Sequence, residues 1–145
     1  MHKTLYIGAD HAGYELKEAL KRLITEKAEW VVEDLSPDFK AGDDYPLIAR
    51  KLALRVAQTP NSRGVLACGS GIGMVMAANR IKGARAFDAY DAKSVELARN
   101  DNDANIVTFS GWRQKSGETK KLLDLFLKTK ASTATRHKRR IKQLG

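Results

Sequence analysis

The segment Cys68-Gly69-Ser70-Gly71-Ile72-Gly73 puts a thiol, a hydroxyl and alternating glycines into six consecutive residues. Glycine at every second position leaves successive backbone N–H groups open to a ligand. Where such a turn runs from a strand into a helix, it cradles a phosphate or a developing oxyanion. The spacing is not G-x-G-x-x-G and there is no Walker lysine, which argues against nucleotide motifs. A tight packing turn is the competing reading of the glycines. Cys68 falls at the edge of the turn, where a helix N-terminus would lower its pKa and favour a thiolate able to act as nucleophile or base. An inert buried cysteine is the alternative. Ser70 adds a hydroxyl that could donate to a substrate oxygen.

Two further groups carry chemistry. Asp10-His11 pairs a carboxylate that could hold hydroxyls with an imidazole that could hold a hydroxyl or phosphate; alternatively, Asp10 only caps the following helix. In the tail, Arg136 and Arg140 are four residues apart. On a helix they share a face and could clasp one phosphate, whereas a solvated basic arm is the plain alternative. Tyr45, in Asp44-Tyr45-Pro46, reads slightly better as core than as a ring-facing contact.

The elements that must position these residues alternate. Apolar runs at 4–9, 30–35, 64–68, 84–89 and 105–110 read as strands. Helical periodicity occupies 15–28, 45–58, 92–100 and 115–130, and Gly73–Asn79 opens another helix. Asp43 or Asp44 is the expected cap of the second helix, with Pro46 in its first turn. Five strands separated by helices indicate an α/β domain with a parallel sheet. In such a domain ligands sit beyond the C-terminal ends of the strands. Asp10-His11, the Cys68 turn and the Asn102–Asn105 region read as the three strand ends where a ligand is expected.

At 145 residues and 43% apolar composition, the chain fits a single domain spanning 1–145. One cysteine excludes an internal disulfide framework, and no metal-finger spacing occurs. No apolar run reaches the roughly 20 residues of a membrane span, and the first residues are too few for a signal-peptide core. A cytoplasmic setting without membrane contact is expected. Net charge is unevenly placed: residues 1–112 hold 15 Lys/Arg and 15 Asp/Glu, whereas 113–145 hold 11 against 2. A neutral body with a basic tail suggests an anion site or a solvated arm more than a nucleic-acid surface.

Taken together, several motifs resemble the ribose-5-phosphate isomerase B and galactose-6-phosphate isomerase family. They are Ile7-Gly8-Ala9-Asp10-His11-Ala12-Gly13, Asp44-Tyr45-Pro46, the Cys68–Gly73 turn, Ala77-Ala78-Asn79-Arg80 and Gly83-Ala84-Arg85-Ala86. Asn102-Asp103-Ala104-Asn105 and Arg136-His137 with Arg140 complete the series. The resemblance implies a Rossmann-like three-layer α/β domain with a five-stranded parallel sheet and a C-terminal helical extension. It implies a homodimer or dimer of dimers with shared active sites, the basic extension 128–145 packing on the partner subunit. It also implies reversible aldose–ketose isomerisation of a phosphorylated sugar, with neither metal nor organic cofactor. Cys68 would move the proton through a cis-enediolate, Ser70 would assist, and the N–H groups of Gly69, Gly71, Ile72 and Gly73 would hold the oxyanion. Asp10, Tyr45 and Asn102 would contact sugar oxygens, while His11, Arg136 and Arg140 would hold the phosphate.

Two positions depart from the family pattern. A histidine credited with ring opening usually precedes the residue matching Asn102; here that position is Asp101, with an ordinary pKa near 3.9 against about 6.5 for histidine. In Ser110-Gly111-Trp112-Arg113 the family's arginine usually stands one residue sooner, so either Arg113 serves as the substrate contact or Trp112 has replaced the cation. Ribose 5-phosphate is the expected substrate, a 6-phosphorylated hexose the alternative. A non-catalytic sugar-phosphate or nucleic-acid binding protein of the same fold is the rival from another class.

Overall fold

Strand β1 (Lys3–Ala9) is exposed at its first residue and fully buried from Leu5 onward. That profile belongs to a strand covered on both faces. The computed structural model describes residues 2–145. In chain order, α1 (Tyr14–Thr25), β2 (Trp30–Asp34), α2 (Tyr45–Gln58), β3 (Arg63–Cys68) and α3 (Ile72–Ala78) follow. Then come β4 (Ala86–Asp88), α4 (Ala92–Asn102), β5 (Ile106–Ser110), α5 (Ser116–Lys128) and α6 (Thr135–Leu144). The sheet has five strands in the order β2-β1-β3-β5-β4, with every pairing parallel.

Side chains alternate across the strands, so each strand feeds two cores. Leu5, Ile7, Val65, Ala67, Val107 and Phe109 pack against α1 and α5. Tyr6, Leu66, Cys68 and Ile106 pack against α2 and α3 on the other face. The result is the expected three-layer α/β domain. Its chain order reverses direction between β1 and β3, where Ala9 registers with Ala67. Asp10 and Cys68 therefore emerge side by side at the topological switch point, where this architecture opens a crevice.

Several boundaries differ from those expected. Strand β4 has three residues because Gly83, at φ 89°, turns the chain and Asn105 then ties up Arg85: its Oδ1 accepts the Arg85 N–H at 2.8 Å. Helix α1 stops at Thr25, where the Lys27 N–H turns back to the Ile24 carbonyl. Helix α4 runs on to Asn102, and Asp103 ends it in the left-handed region at φ 45°. Asp44 occupies the N-cap position of α2, but its side chain makes no capping bond. The tail is helical: α6 packs on α4, and the Ser132 N–H donates to the Asn100 carbonyl at 2.9 Å just before it begins.

Candidate active site

The ends of β1, β3 and β5 are stitched into one rigid rim. The Asp10 N–H reaches the Ala67 carbonyl, the Gly111 N–H the Cys68 carbonyl at 2.8 Å, and the Ser110 hydroxyl the Gly69 carbonyl at 2.6 Å. Gly71 has φ 82°, a conformation that favours glycine, and its carbonyl accepts the Thr108 hydroxyl at 2.9 Å. Above this rim lies a cleft of about 420 Å³. Asp10, His11, Tyr45, Cys68, Gly69, Ser70, Ile72 and Gly73 line it, joined by Ala12, Met76 and Trp112. A wider groove of about 760 Å³ adjoins at His11 and Ala12 along α1, but the Cys68 thiol lies outside it.

Cys68 is buried, and its sulfur accepts the Gly71 N–H at 3.1 Å. Burial is the largest influence on the thiol and pushes its pKa up, with the Asp10 charge acting in the same direction. The N–H groups of Met74, Gly71 and Ser70 pull it down without offsetting that burial. The expected lowering by the helix N-terminus is therefore overturned. A seven-residue helix and its turn supply donors, but desolvation of the anion outweighs them. The turn also uses two of its own amides: Gly71 serves the sulfur, and the Ile72 N–H goes to the Ser70 hydroxyl at 3.2 Å.

Asp10 is buried, and its Oδ1 accepts the N–H groups of Ala12 and Gly13 at 3.0 and 3.1 Å. It thus fastens the loop into α1 without occupying the N-cap, which is Gly13. Burial raises its pKa; the Gly13 and Ala12 amides and His11 oppose the shift, and Asp43 adds to it. His11 is exposed, and Asp43 Oδ1 takes both its backbone N–H at 2.7 Å and its Nδ1 at 3.1 Å. That side-chain hydrogen bond is the main reason the His11 pKa rises. Asp43 is one of the two acids read as candidate caps of α2; Asp44 takes the N-cap position, and Asp43 is the partner of His11. The only sequence hint was an acidic pair ahead of Tyr45-Pro46.

Tyr45, which read slightly better as core than as a ring-facing contact, is 39% exposed and faces the cleft. Its ring rests on Gly73, where a Cβ would stand 2.6 Å from Cε2 and Cζ. Pro46 fixes the first turn of α2 and so the direction in which this ring leaves the helix. Trp112 lines the opposite wall. Its backbone N–H donates to the Gly69 carbonyl at 3.1 Å, and a Cβ at Gly69 would collide with the indole.

Of the two alternatives read at this position, Trp112 lines the cleft and Arg113 does not. Its guanidinium is held 3.3 Å from Asp88 and lies 4.5 Å from the Tyr90 ring centre. The remaining predicted residues sit elsewhere on the same chain. Asp101 and Asn102 occupy the last turn of α4, and His137 of α6 reaches within 3.8 Å of Asp101. Arg136 and Arg140 are exposed on α6, one turn apart. One chain therefore brings together the thiol, the glycine turn, Asp10, His11 and Tyr45, and sets Asp101, Asn102, Arg136 and Arg140 apart from them.

Residues 5–144 match the family model described as Ribose/Galactose Isomerase. The ribose-5-phosphate isomerase B of Mycobacterium tuberculosis is 36% identical over 137 residues, covering 94% of this chain and 85% of that one. A probable ribose-5-phosphate isomerase B of Mycoplasma pneumoniae is 39% identical over 143 residues, covering 97% and 92%. Among solved structures, the type B ribose 5-phosphate isomerase of Trypanosoma brucei superposes with a TM-score of 0.93 at 33% identity, covering 99% and 97% of the two chains. Ribose-5-phosphate isomerase B of Mycoplasma genitalium with bound ribulose-5-phosphate gives 0.92 at 36% identity, covering 99% and 95%.

Proposed function

This chain belongs to the ribose/galactose isomerase family, and from that premise we propose that it interconverts ribose 5-phosphate and ribulose 5-phosphate. The single observation that carries the mechanism is the placement of Cys68. Its sulfur stands at the switch point of the sheet, beside Ser70 in the cleft that also holds Asp10, His11 and Tyr45.

In the forward direction the Cys68 thiolate takes the proton from C2 of the open-chain aldose. Electrons move into the C1 carbonyl, giving a cis-enediolate with charge on O1. The C2 hydroxyl proton passes to O1 through the Ser70 hydroxyl, which moves the charge to O2; the Cys68 thiol then returns its proton to C1 and O2 becomes the ketone. Ser70 and the free amides of the turn stabilise the oxygens as charge shifts between them. The raised thiol pKa sets a condition: only the deprotonated fraction is a competent base, but each thiolate formed is a stronger one. His11, held toward its protonated form by Asp43, faces the phosphate end, and Asp10 and Tyr45 face sugar hydroxyls. The base and the oxyanion donors all come from the chain, so the reaction as proposed uses no metal and no organic cofactor.

Asp101, Asn102, Arg136 and Arg140 enter this reading from a second subunit. The arginines, one turn apart, complete the phosphate site of the neighbouring cleft, and Asn102 reaches its sugar. Asp101 there takes the ring-opening position. The same residue favours the second reading, a 6-phosphorylated hexose, because it differs from the imidazole usual in ribose-phosphate enzymes. A coupled assay across pentose 5-phosphates and hexose 6-phosphates tests both. Fastest conversion of ribose 5-phosphate is expected. A preference for allose 6-phosphate or galactose 6-phosphate moves the assignment to the hexose, and no aldose–ketose conversion anywhere in the panel overturns it.

A further inference from the structure

Trp112 is 78% exposed, the most exposed large apolar side chain among the described residues. Its position is nevertheless tightly fixed. The Gly111 and Trp112 amides donate to the carbonyls of Cys68 and Gly69, and the Gln114 side chain accepts the Ser110 N–H at 2.7 Å. The indole lies directly on the Cα of Gly69, a seat that only a residue without Cβ allows. Across the cleft the Tyr45 ring rests on Gly73 in the same way. The two aromatic rings thus flank the turn that carries Cys68 and Ser70. The one guanidinium nearby, Arg113, is turned onto Asp88 and Tyr90. Trp112 is therefore the side chain that this wall presents to the cleft, and its exposed indole is free to meet what the cleft binds.

We propose that Trp112 is a specificity-determining contact: its indole stacks on the C–H face of the bound sugar-phosphate carbon chain, beside the carbons that Cys68 works on. The proposal rests on the isomerase reading. Its physical basis is the electron-rich face of an indole, which attracts weakly positive C–H groups and loses little conformational freedom when it does so. A guanidinium on this wall would instead recognise an anion, with a strength that salt screens. In this chain the wall recognises carbon, and the anion is left to His11 and to the arginine pair of the partner subunit's α6.

The test uses the full chain. The protein has two tryptophans, so Trp30→Phe leaves Trp112 as the sole indole emitter. Adding Cys68→Ala stops turnover and lets ribose 5-phosphate be titrated at equilibrium. A saturable change in Trp112 emission is expected. In kinetic assays, Trp112→Phe should stay within about threefold of wild type. Trp112→Ala should lose about tenfold in kcat/KM, chiefly through KM, the size expected of one aromatic contact. Trp112→Arg should make KM rise with salt more steeply than in wild type. Unmoved emission at saturating sugar phosphate, or unchanged kcat/KM in Trp112→Ala, overturns the proposal. So does a Trp112→Ala loss that comes with a matching drop in Tm, because that is a structural role. If wild type isomerises nothing, the function reading fails by itself, whereas the emission titration needs no turnover and still tests the wall.

Discussion

The Cys68 sulfur takes the Gly71 N–H, yet its surroundings favour the neutral thiol, so the residue combines a ready hydrogen-bond donor with a desolvated base. His11 is tuned the opposite way. Its hydrogen bond to Asp43 favours the imidazolium and carries the charge above the ordinary histidine range. Asp43→Asn removes that charge, and the His11 pKa should fall toward about 6.5. An NMR titration of the ring measures it, and KM for ribose 5-phosphate near pH 7.5 should rise at the same time. An unshifted His11 pKa would contradict the pairing. The sign for folding follows from the raised pKa: any contribution to stability is complete below the unfolded pKa and lost as pH climbs through the folded one. This pair spans 32 residues and was not legible in the sequence, which shows Asp43 only as one of two acids before a helix. The Cys68 turn was legible, because its chemistry lies within six consecutive residues.

At the scale of elements, arginines organise the end of the sheet opposite the cleft. Arg99 donates to Asp103 at 2.8 Å and to the Ala104 carbonyl at 2.6 Å, while Arg85 Nε reaches the Asn102 and Asp103 carbonyls. Together they fix the left-handed turn that ends α4 and presents Asp101 and Asn102. Arg63 at the start of β3 gains less: its Nη1 donates to the Ser62 carbonyl at 3.2 Å. Its Nε is buried without an acceptor, and no carboxylate lies within ion-pair distance among the described residues. Burial, with the Arg99 and Arg85 charges, lowers its pKa to about 10. Below that pH the folded state carries the full cost of a poorly compensated cation. Arg63→Met keeps the packing of the aliphatic stem and removes the charge. It should raise stability by about 1 kcal/mol, or roughly 3–5 °C in Tm by calorimetry. A drop of that size would show that the guanidinium stabilises the fold. The strands were legible as apolar runs because parallel strands are covered on both faces, and α2 was read to its residue because Pro46 and Thr59-Pro60 bracket it. β4 was overread: an edge strand of three residues beside a glycine turn leaves little apolar signal.

For the molecule as a whole, the division of charge seen in the sequence becomes a division of parts. A neutral three-layer body carries the cleft. The last 33 residues carry the excess of nine positive charges, and α6 holds five Lys/Arg and no acid. Asp10-His11 and the Cys68 turn met in one cleft because a parallel sheet gathers its C-terminal ends, whereas the Asn102–Asn105 region leads into the start of β5 and lies outside that cleft. The positions named on α4 and α6 did not meet there, and a single chain offers no reason in its sequence why they should. The central claim is proton transfer by Cys68 between C1 and C2 of the sugar. Isomerisation of ribose 5-phosphate in D₂O, followed by NMR, measures it in wild type and in Cys68→Ala. Wild type should form ribulose 5-phosphate carrying solvent deuterium at C1, at a rate that keeps rising with pH through and beyond the ordinary thiol range, because burial raises the Cys68 pKa. Cys68→Ala should keep its fold and lose at least about 100-fold in rate. Near-wild-type turnover in Cys68→Ala would contradict it.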